Sequence, residues 1–135
     1  MFRILSYTDY NSYIKLINEF RKTNFSYIDF CNFVDNKHIS VILLIENNNI
    51  IGSGTILYEQ KLIHNYGMVA HIEDVIVSKK YRGKKYGKKL IDYLVDKAKK
   101  KKCYKIILNC DKNVKEFYKK SNFNETGLEM SYYFE

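Results

Sequence analysis

Residues 71–90, HIEDVIVSKKYRGKKYGKKL, decide how this chain of 135 residues is read. The segment opens as a β-strand, passes through a short basic loop containing Gly83 and Gly87, and runs into an amphipathic helix. A strand that feeds a helix through such a loop is a device for holding phosphate. Backbone N–H groups at a helix N-terminus are unpaired, carry about half a positive charge and point at any anion placed there. The loop also brings Arg82, Lys84, Lys85 and Lys88, and the strand before it sets Glu73 and Asp74 inside an apolar run. Phosphate grip and acidic chemistry within one segment point to a transferase.

Working outward, residues 2–6 alternate loosely as a first strand. Tyr10, Tyr13, Ile14, Leu16, Ile17 and Phe20 follow a helical spacing behind Thr8 and Asp9, and Tyr27, Ile28, Phe30, Phe33 and Val34 repeat it. Residues 38–46 and 50–59 flank three asparagines, a β-hairpin pattern, because asparagine tolerates the positive φ of tight turns. Gly52 and Gly54 in the second of these strands predict a bulge or a close backbone approach. Residues 67–77 form the long fourth strand. The helix over 87–101 buries Leu90, Ile91, Leu94, Val95 and Ala98, and carries its lysines outside and at its C-terminus, where cations suit the dipole. A short buried strand over 104–108, a helix over 114–120 and a last strand over 123–134 complete the order. The expectation is an α/β (α+β) fold with a mixed sheet, in one domain spanning 1–135.

Composition bounds the rest. The hydrophobic fraction of 46% and aromatic fraction of 16% are globular values. No apolar run is long enough for a membrane span, and the N-terminus lacks a signal peptide's apolar core. Cys31, Cys103 and Cys110 have no metal-ligand spacing and read as reduced thiols of a cytoplasmic protein, with no metal site. The net charge of +8 comes mostly from lysine, and a face of solvated lysines is its plain reading. The cluster at 84–89 differs, because positive charge at a helix start is unfavourable unless an anion binds. A basic nucleic-acid module is the competing class, but the chain has no recognition motif for one, so no nucleic-acid partner is expected.

The loop RGKKYG (82–87) resembles the acetyl-CoA pyrophosphate motif of the GNAT superfamily at Arg82 and Gly87, with Lys85 where the first motif glycine is usual. Downstream, FYKKSNF (117–123) resembles the superfamily's FY-x-K-x-GF segment, with Asn122 in the glycine place. Three blocks, KLIH (61–64), HIEDVIV (71–77) and CYKIILNCDKNV (103–114), are similar in order and spacing to the eukaryotic glucosamine-6-phosphate N-acetyltransferases, and GLEM (127–130) extends the likeness. The resemblance implies a GNAT fold, mostly antiparallel, in which a bulged fourth strand splays from the fifth between flanking helices. It also implies acetyl-CoA as co-substrate, D-glucosamine 6-phosphate as acceptor, and a homodimer with composite active sites. A different amine acceptor on the same fold is the alternative.

Residue by residue, the resemblance has the backbone of Val75, Ile76 and Val77 pairing with pantetheine; as side chains they are what any buried strand needs. Gly83, Lys84, Lys85, Tyr86, Gly87 and Lys88 would offer N–H groups to the pyrophosphate beside Arg82, although a glycine before a helix is also a plain cap. Glu73 and Asp74 would face the sugar, with Glu73 as proton acceptor and a backbone N–H near Val75 as oxyanion donor. Buried carboxylates without partners are costly, which favours that ligand role over a merely exposed pair. Tyr118 would protonate the leaving sulfur and touch the cofactor; outside the motif a helical tyrosine is usually packing. Asn109 would lend backbone to the cofactor. The sugar phosphate needs cations, which Lys61, His64 and Lys105 supply beside Tyr104, and Thr23 is the candidate for the family's substrate-binding threonine. Cys110 reads as structural, since nothing pairs it with a base. Tyr133 stands where the family carries a phosphate-binding arginine.

Overall fold

The computed structural model describes residues 1–134. Five strands lie in the order β1-β2-β3-β4-β5: β1 (Phe2–Ile4), β2 (Ile39–Glu46), β3 (Asn49–Gln60), β4 (Met68–Val77) and β5 (Lys105–Ile107). The first four are antiparallel neighbours, and only β5 runs parallel to β4. The β2–β3 turn is made by Asn47 and Asn48 at φ 50° and 63°, the left-handed conformation that a tight hairpin requires.

Helices cover both faces. On one, α1 (Tyr10–Phe20) and α2 (Tyr27–Val34) bury Tyr13, Leu16 and Phe30 against Val41, Leu43 and Ile45. The Ser26 hydroxyl caps α2 by accepting from the Asp29 N–H. On the other, α4 (Tyr86–Lys100) sets Leu90, Ile91 and Leu94, all fully buried, against Ile42, Ile56, Ala70 and Ile72. Each of those three side chains contributes about 1.5–3 kcal/mol of burial. Gly54 makes this fit possible, because a Cβ there would stand 2.6 Å from Leu94 Cδ1. Two short helices, α3 (Ile63–Tyr66) and α5 (Lys115–Lys119), fill the connections around β4 and β5.

Strand β4 changes face partway along. Ala70 and Ile72 pack toward α4, yet Ile76 packs toward α1 and α2, although an even spacing on a regular strand would keep all three together. The cause is a bulge: the β3–β4 register shifts between Ser53 and Thr55, and Asp74 takes φ +48°. The extra residue inverts the alternation from Val75 onward.

Two expectations fail at the C-terminal end. Strand β5 is three residues long, with Lys105 and Ile107 exposed, rather than a buried strand over 104–108. No strand forms over 123–134; Leu128, Met130, Tyr132, Tyr133 and Phe134 are all more than four-fifths exposed. A strand needs a neighbour for its N–H and C=O groups, and the described residues offer this segment none.

Candidate active site

The β4–β5 pairing covers only Val69–His71 against Lys105–Ile107. Beyond His71, β4 continues for six residues with no strand of the described chain along that edge, while the chain after β5 turns away through Leu108–Asp111. The result is a V-shaped cleft of about 1070 Å³, floored by Ile72–Val77 and walled by Leu108, Asn109, Cys110, Phe117 and Tyr118. Its free edge presents unpaired backbone groups, which suit an extended ligand carrying amides.

The basic loop closes one end. Ser78 enters a 3-10 turn (Lys79–Tyr81), Arg82 donates from Nε to the Val77 carbonyl at 3.0 Å, and Gly83 takes φ +77°. Lys85 occupies the position before α4 at φ 66°, ψ 13°. That left-handed conformation explains why a glycine is usual there; this chain accepts the strain of a Cβ instead. Gly87 allows α4 to start close to α5, since a Cβ on it would meet the Phe117 ring at 3.0 Å. The loop and the first turn of α4 thus bring Arg82, Lys85 and Lys88 to the cleft lining, with the Lys88 ammonium paired to Asp92 at 2.7 Å.

The bulge brings Glu73 and Asp74 to the same cleft. Both are exposed, not buried, so the cleft needs no partner to compensate them. Tyr118 is half-buried, held between the Phe117 ring at 4.9 Å and the Phe123 ring at 6.0 Å, both edge-on. Burial, then the neighbouring Cys110, holds its phenol above the ordinary value, so it stays protonated through neutral pH. Asn122 ends this segment at φ 69°, the left-handed residue that the motif requires.

The sequence model of the acetyltransferase (GNAT) family matches residues 7–123. The chain belongs to the GNAT family. Its relatives include the glucosamine 6-phosphate N-acetyltransferase of Arabidopsis thaliana, 40% identical over 70% of this chain and 66% of that protein. Glucosamine 6-phosphate N-acetyltransferase 1 of Dictyostelium discoideum is 34% identical over 92% of this chain and 82% of its own length. The crystal structure of the Arabidopsis enzyme superposes with a TM-score of 0.92, covering 100% of this chain and 98% of that one at 30% identity.

Within this GNAT chain the expected residues do not all share one place. Glu73, Asp74, Val75, Ile76, Val77, Arg82, Gly83, Lys85, Tyr86, Gly87, Lys88, Asn109 and Tyr118 all line the cleft. Lys84 stands beside it, with its ammonium 5.9 Å from the centre of the Tyr81 ring. Lys61, His64, Tyr104 and Lys105 do not line it; they gather at the opposite end of β4. There the His64 ring stacks on Tyr104 at 4.1 Å, and Tyr104 donates from its backbone N–H to the Met68 carbonyl. Gly67 permits that packing, because a Cβ would stand 2.6 Å from the Tyr104 ring. Lys61 pairs with Glu59 at 3.2 Å, and Glu59 also meets His71 Nε2 at 2.9 Å. Thr23 lies in the α1–α2 loop outside the cleft, its N–H bonded to Asn18 Oδ1.

Sequence reasoning missed Phe20, Tyr81, Cys110, Asp111, Lys120 and Glu129 as lining residues. Phe20 carried a core signal from its helical spacing, yet at the end of α1 it is half exposed to the cleft. Cys110, read as structural, is an exposed thiol in the wall. Glu129 arrives on the C-terminal segment, whose path no local pattern encodes. Among the described residues no cluster of side chains is placed to hold a metal ion, and no helix is long and apolar enough to cross a membrane.

Proposed function

We propose that this protein transfers the acetyl group of acetyl-CoA to the amine of D-glucosamine 6-phosphate, giving N-acetyl-D-glucosamine 6-phosphate on the way to UDP-N-acetylglucosamine. The observation that carries the reading is the meeting, in one cleft, of an unpaired strand edge, a left-handed basic loop and two carboxylates. The curated relatives supply the acceptor's name. The cleft fits acetyl-CoA: a free β4 edge for pantetheine, and loop N–H groups with Arg82, Lys85 and Lys88 for pyrophosphate. Bound there, the thioester supplies the activated acetyl group.

The chain's own residues divide the remaining work. The backbone of Val75, Ile76 and Val77 orients the donor, Asn109 contributes from the facing wall, and a backbone N–H near Val75 stabilises the oxyanion. Glu73, directly or through a water, accepts the proton of the attacking amine, and Asp74 holds the sugar. Tyr118 donates its proton to the departing sulfur. Its raised phenol value keeps that proton available through neutral pH.

The phosphate end of the acceptor calls for a second chain. Lys105 pairs in register with Val69, four residues from Glu73, and Tyr104 lies beyond it. At roughly 3.3 Å per residue the backbone separation is about 13 Å or more, so these side chains stand at the far end of β4 from the carboxylates. In the proposed homodimer, Lys61, His64, Tyr104 and Lys105 of the other copy complete each cleft. The exposed apolar segment 123–134, with Tyr133, is the part of the chain best suited to lie on that copy. Thr23 is the proposed N-terminal sugar contact. We take residues 1–135 as one N-acetyltransferase domain working in the cytoplasm, where its three free thiols would stay reduced.

The test is thiol release from acetyl-CoA across amino-sugar phosphates, polyamines and peptides. Release that requires glucosamine 6-phosphate is expected; activity confined to a peptide or polyamine would leave acetyl transfer standing and remove the sugar.

A further inference from the structure

Glu19, next to last in α1, reaches across the fold to the entrance of the basic loop. Ser78 donates from Oγ to its two carboxylate oxygens at 3.2 and 3.0 Å, and the Lys79 N–H donates to Oε1 at 2.9 Å. These bonds join residues 59 and 60 positions apart. Ser78 is buried and is held from a second side, its N–H donating to the Ile51 carbonyl at 2.7 Å. From there the 3-10 turn passes the position on: the Tyr81 N–H bonds Ser78 O, and the Arg82 N–H bonds Lys79 O. A shift of Ser78 and Lys79 therefore becomes a shift of Arg82.

The charge at this place is unexpected. Glu19 is an anion close enough to Lys79 and Arg82 to feel both, at the entrance of a loop suited to pyrophosphate, where Coulomb's law alone opposes it. The Lys79 N–H, with Ser78, holds its carboxyl below the ordinary range, so it is ionised at neutral pH. A carboxylate beside an anion site is compatible with binding if its bonds to the loop outweigh its repulsion.

We infer that Glu19 is a positioning residue for acetyl-CoA, clamping α1 to Ser78 and Lys79 so that Arg82 and the loop N–H groups meet the pyrophosphate. The inference rests on the acetyl-CoA reading of the cleft. Clamp and mere neighbour predict opposite signs: losing the clamp weakens donor binding, whereas losing a nearby negative charge strengthens it.

The experiment compares wild type, Glu19→Gln, Glu19→Ala and Ser78→Ala with two donors, acetyl-CoA and S-acetylpantetheine, which lacks the pyrophosphate. Melting temperature is recorded for each chain, and acetyl-CoA binding is titrated directly. Expected is a rise of about tenfold in KM for acetyl-CoA, equivalent to ~1.4 kcal/mol, with kcat within about twofold and KM for acetylpantetheine unmoved. The double variant Glu19→Gln, Ser78→Ala should lose less than the product of the single losses, as members of one network do. Equal losses on both donors, or unchanged or tighter acetyl-CoA binding in the Glu19 variants, overturn the inference while wild-type binding leaves the donor reading intact. A wild type that binds no acetyl-CoA overturns both.

Discussion

Tyr118→Phe removes a single oxygen from the cleft wall, and the structure indicates what else it leaves alone. The ring keeps its edge-on contacts with Phe117 and Phe123. Among the described residues the hydroxyl has no hydrogen-bond partner that its loss would orphan. The folding cost should therefore stay below about 1 kcal/mol, a shift of a few degrees at most in Tm. A general acid is worth roughly 10²–10⁴ in rate. The leaving group is a thiol, whose ordinary value of about 8.5 makes the thiolate a fair leaving group unaided. The lower end applies, so kcat should fall about 100-fold, or ~2.7 kcal/mol of barrier. KM for acetyl-CoA should move by less than about threefold, because the proposed pantetheine and pyrophosphate contacts are backbone and loop contacts. The assay is steady-state thiol release at saturating glucosamine 6-phosphate, with a direct titration of acetyl-CoA alongside. The raised phenol value adds a pH signature: Tyr118 remains protonated up to and beyond its ordinary value, so the wild-type rate should show no loss from this group between pH 6 and about 9. An unchanged kcat, or a loss carried wholly by donor binding, refutes the acid role.

Further predictions concern the scaffold and the second chain. Asp9, 6% exposed, takes both guanidinium nitrogens of Arg3 at 2.8 Å and the Ser6 N–H at 2.8 Å; Asp9→Asn should cost about 2 kcal/mol, or roughly 6–10 °C in Tm. The Arg3 bond holds the Asp9 carboxyl below its ordinary range. The folded value is depressed, so this stability is present above the unfolded value of 3.8 and is lost as pH falls through the folded one. Acid melting curves of the variant should accordingly lose part of the wild-type slope below about pH 4; identical curves would remove Asp9 from that role. Lys85→Gly relieves a Cβ at φ 66°, so stability should hold or rise by up to about 1 kcal/mol, and KM for acetyl-CoA should stay within about threefold if the N–H is the ligand. A tenfold rise would transfer the role to the ammonium. Equal mixing of inactive Glu73→Ala and Lys105→Ala chains should recover about one quarter of wild-type activity, since half the dimers are mixed and each has one intact composite site. No recovery would place both residues in the same chain's site.

Much of this protein was legible in one dimension because the relevant signals are local. Helical spacing located α1, α2 and α4, the asparagine turn located the hairpin, and glycine and cation placement marked the loop 82–87, which the structure puts in the cleft lining. The sequence also marked Lys85 in a glycine's usual place, and the structure added its left-handed φ of 66°. The tertiary structure decided the remainder. The bulge at Asp74 depends on β4 being matched to β3, and it turns two sequence neighbours into joint occupants of a cleft. The cleft itself exists because β5 pairs for only three residues and then leaves, a matter of which edge is available. The same logic denied a strand to 123–134: alternation gives a segment the capacity to pair, and only a neighbouring edge lets its backbone bonds form. Chemistry-bearing residues were thus written in the sequence, while which of them share a site was settled by long-range pairing, an energy that no local window contains.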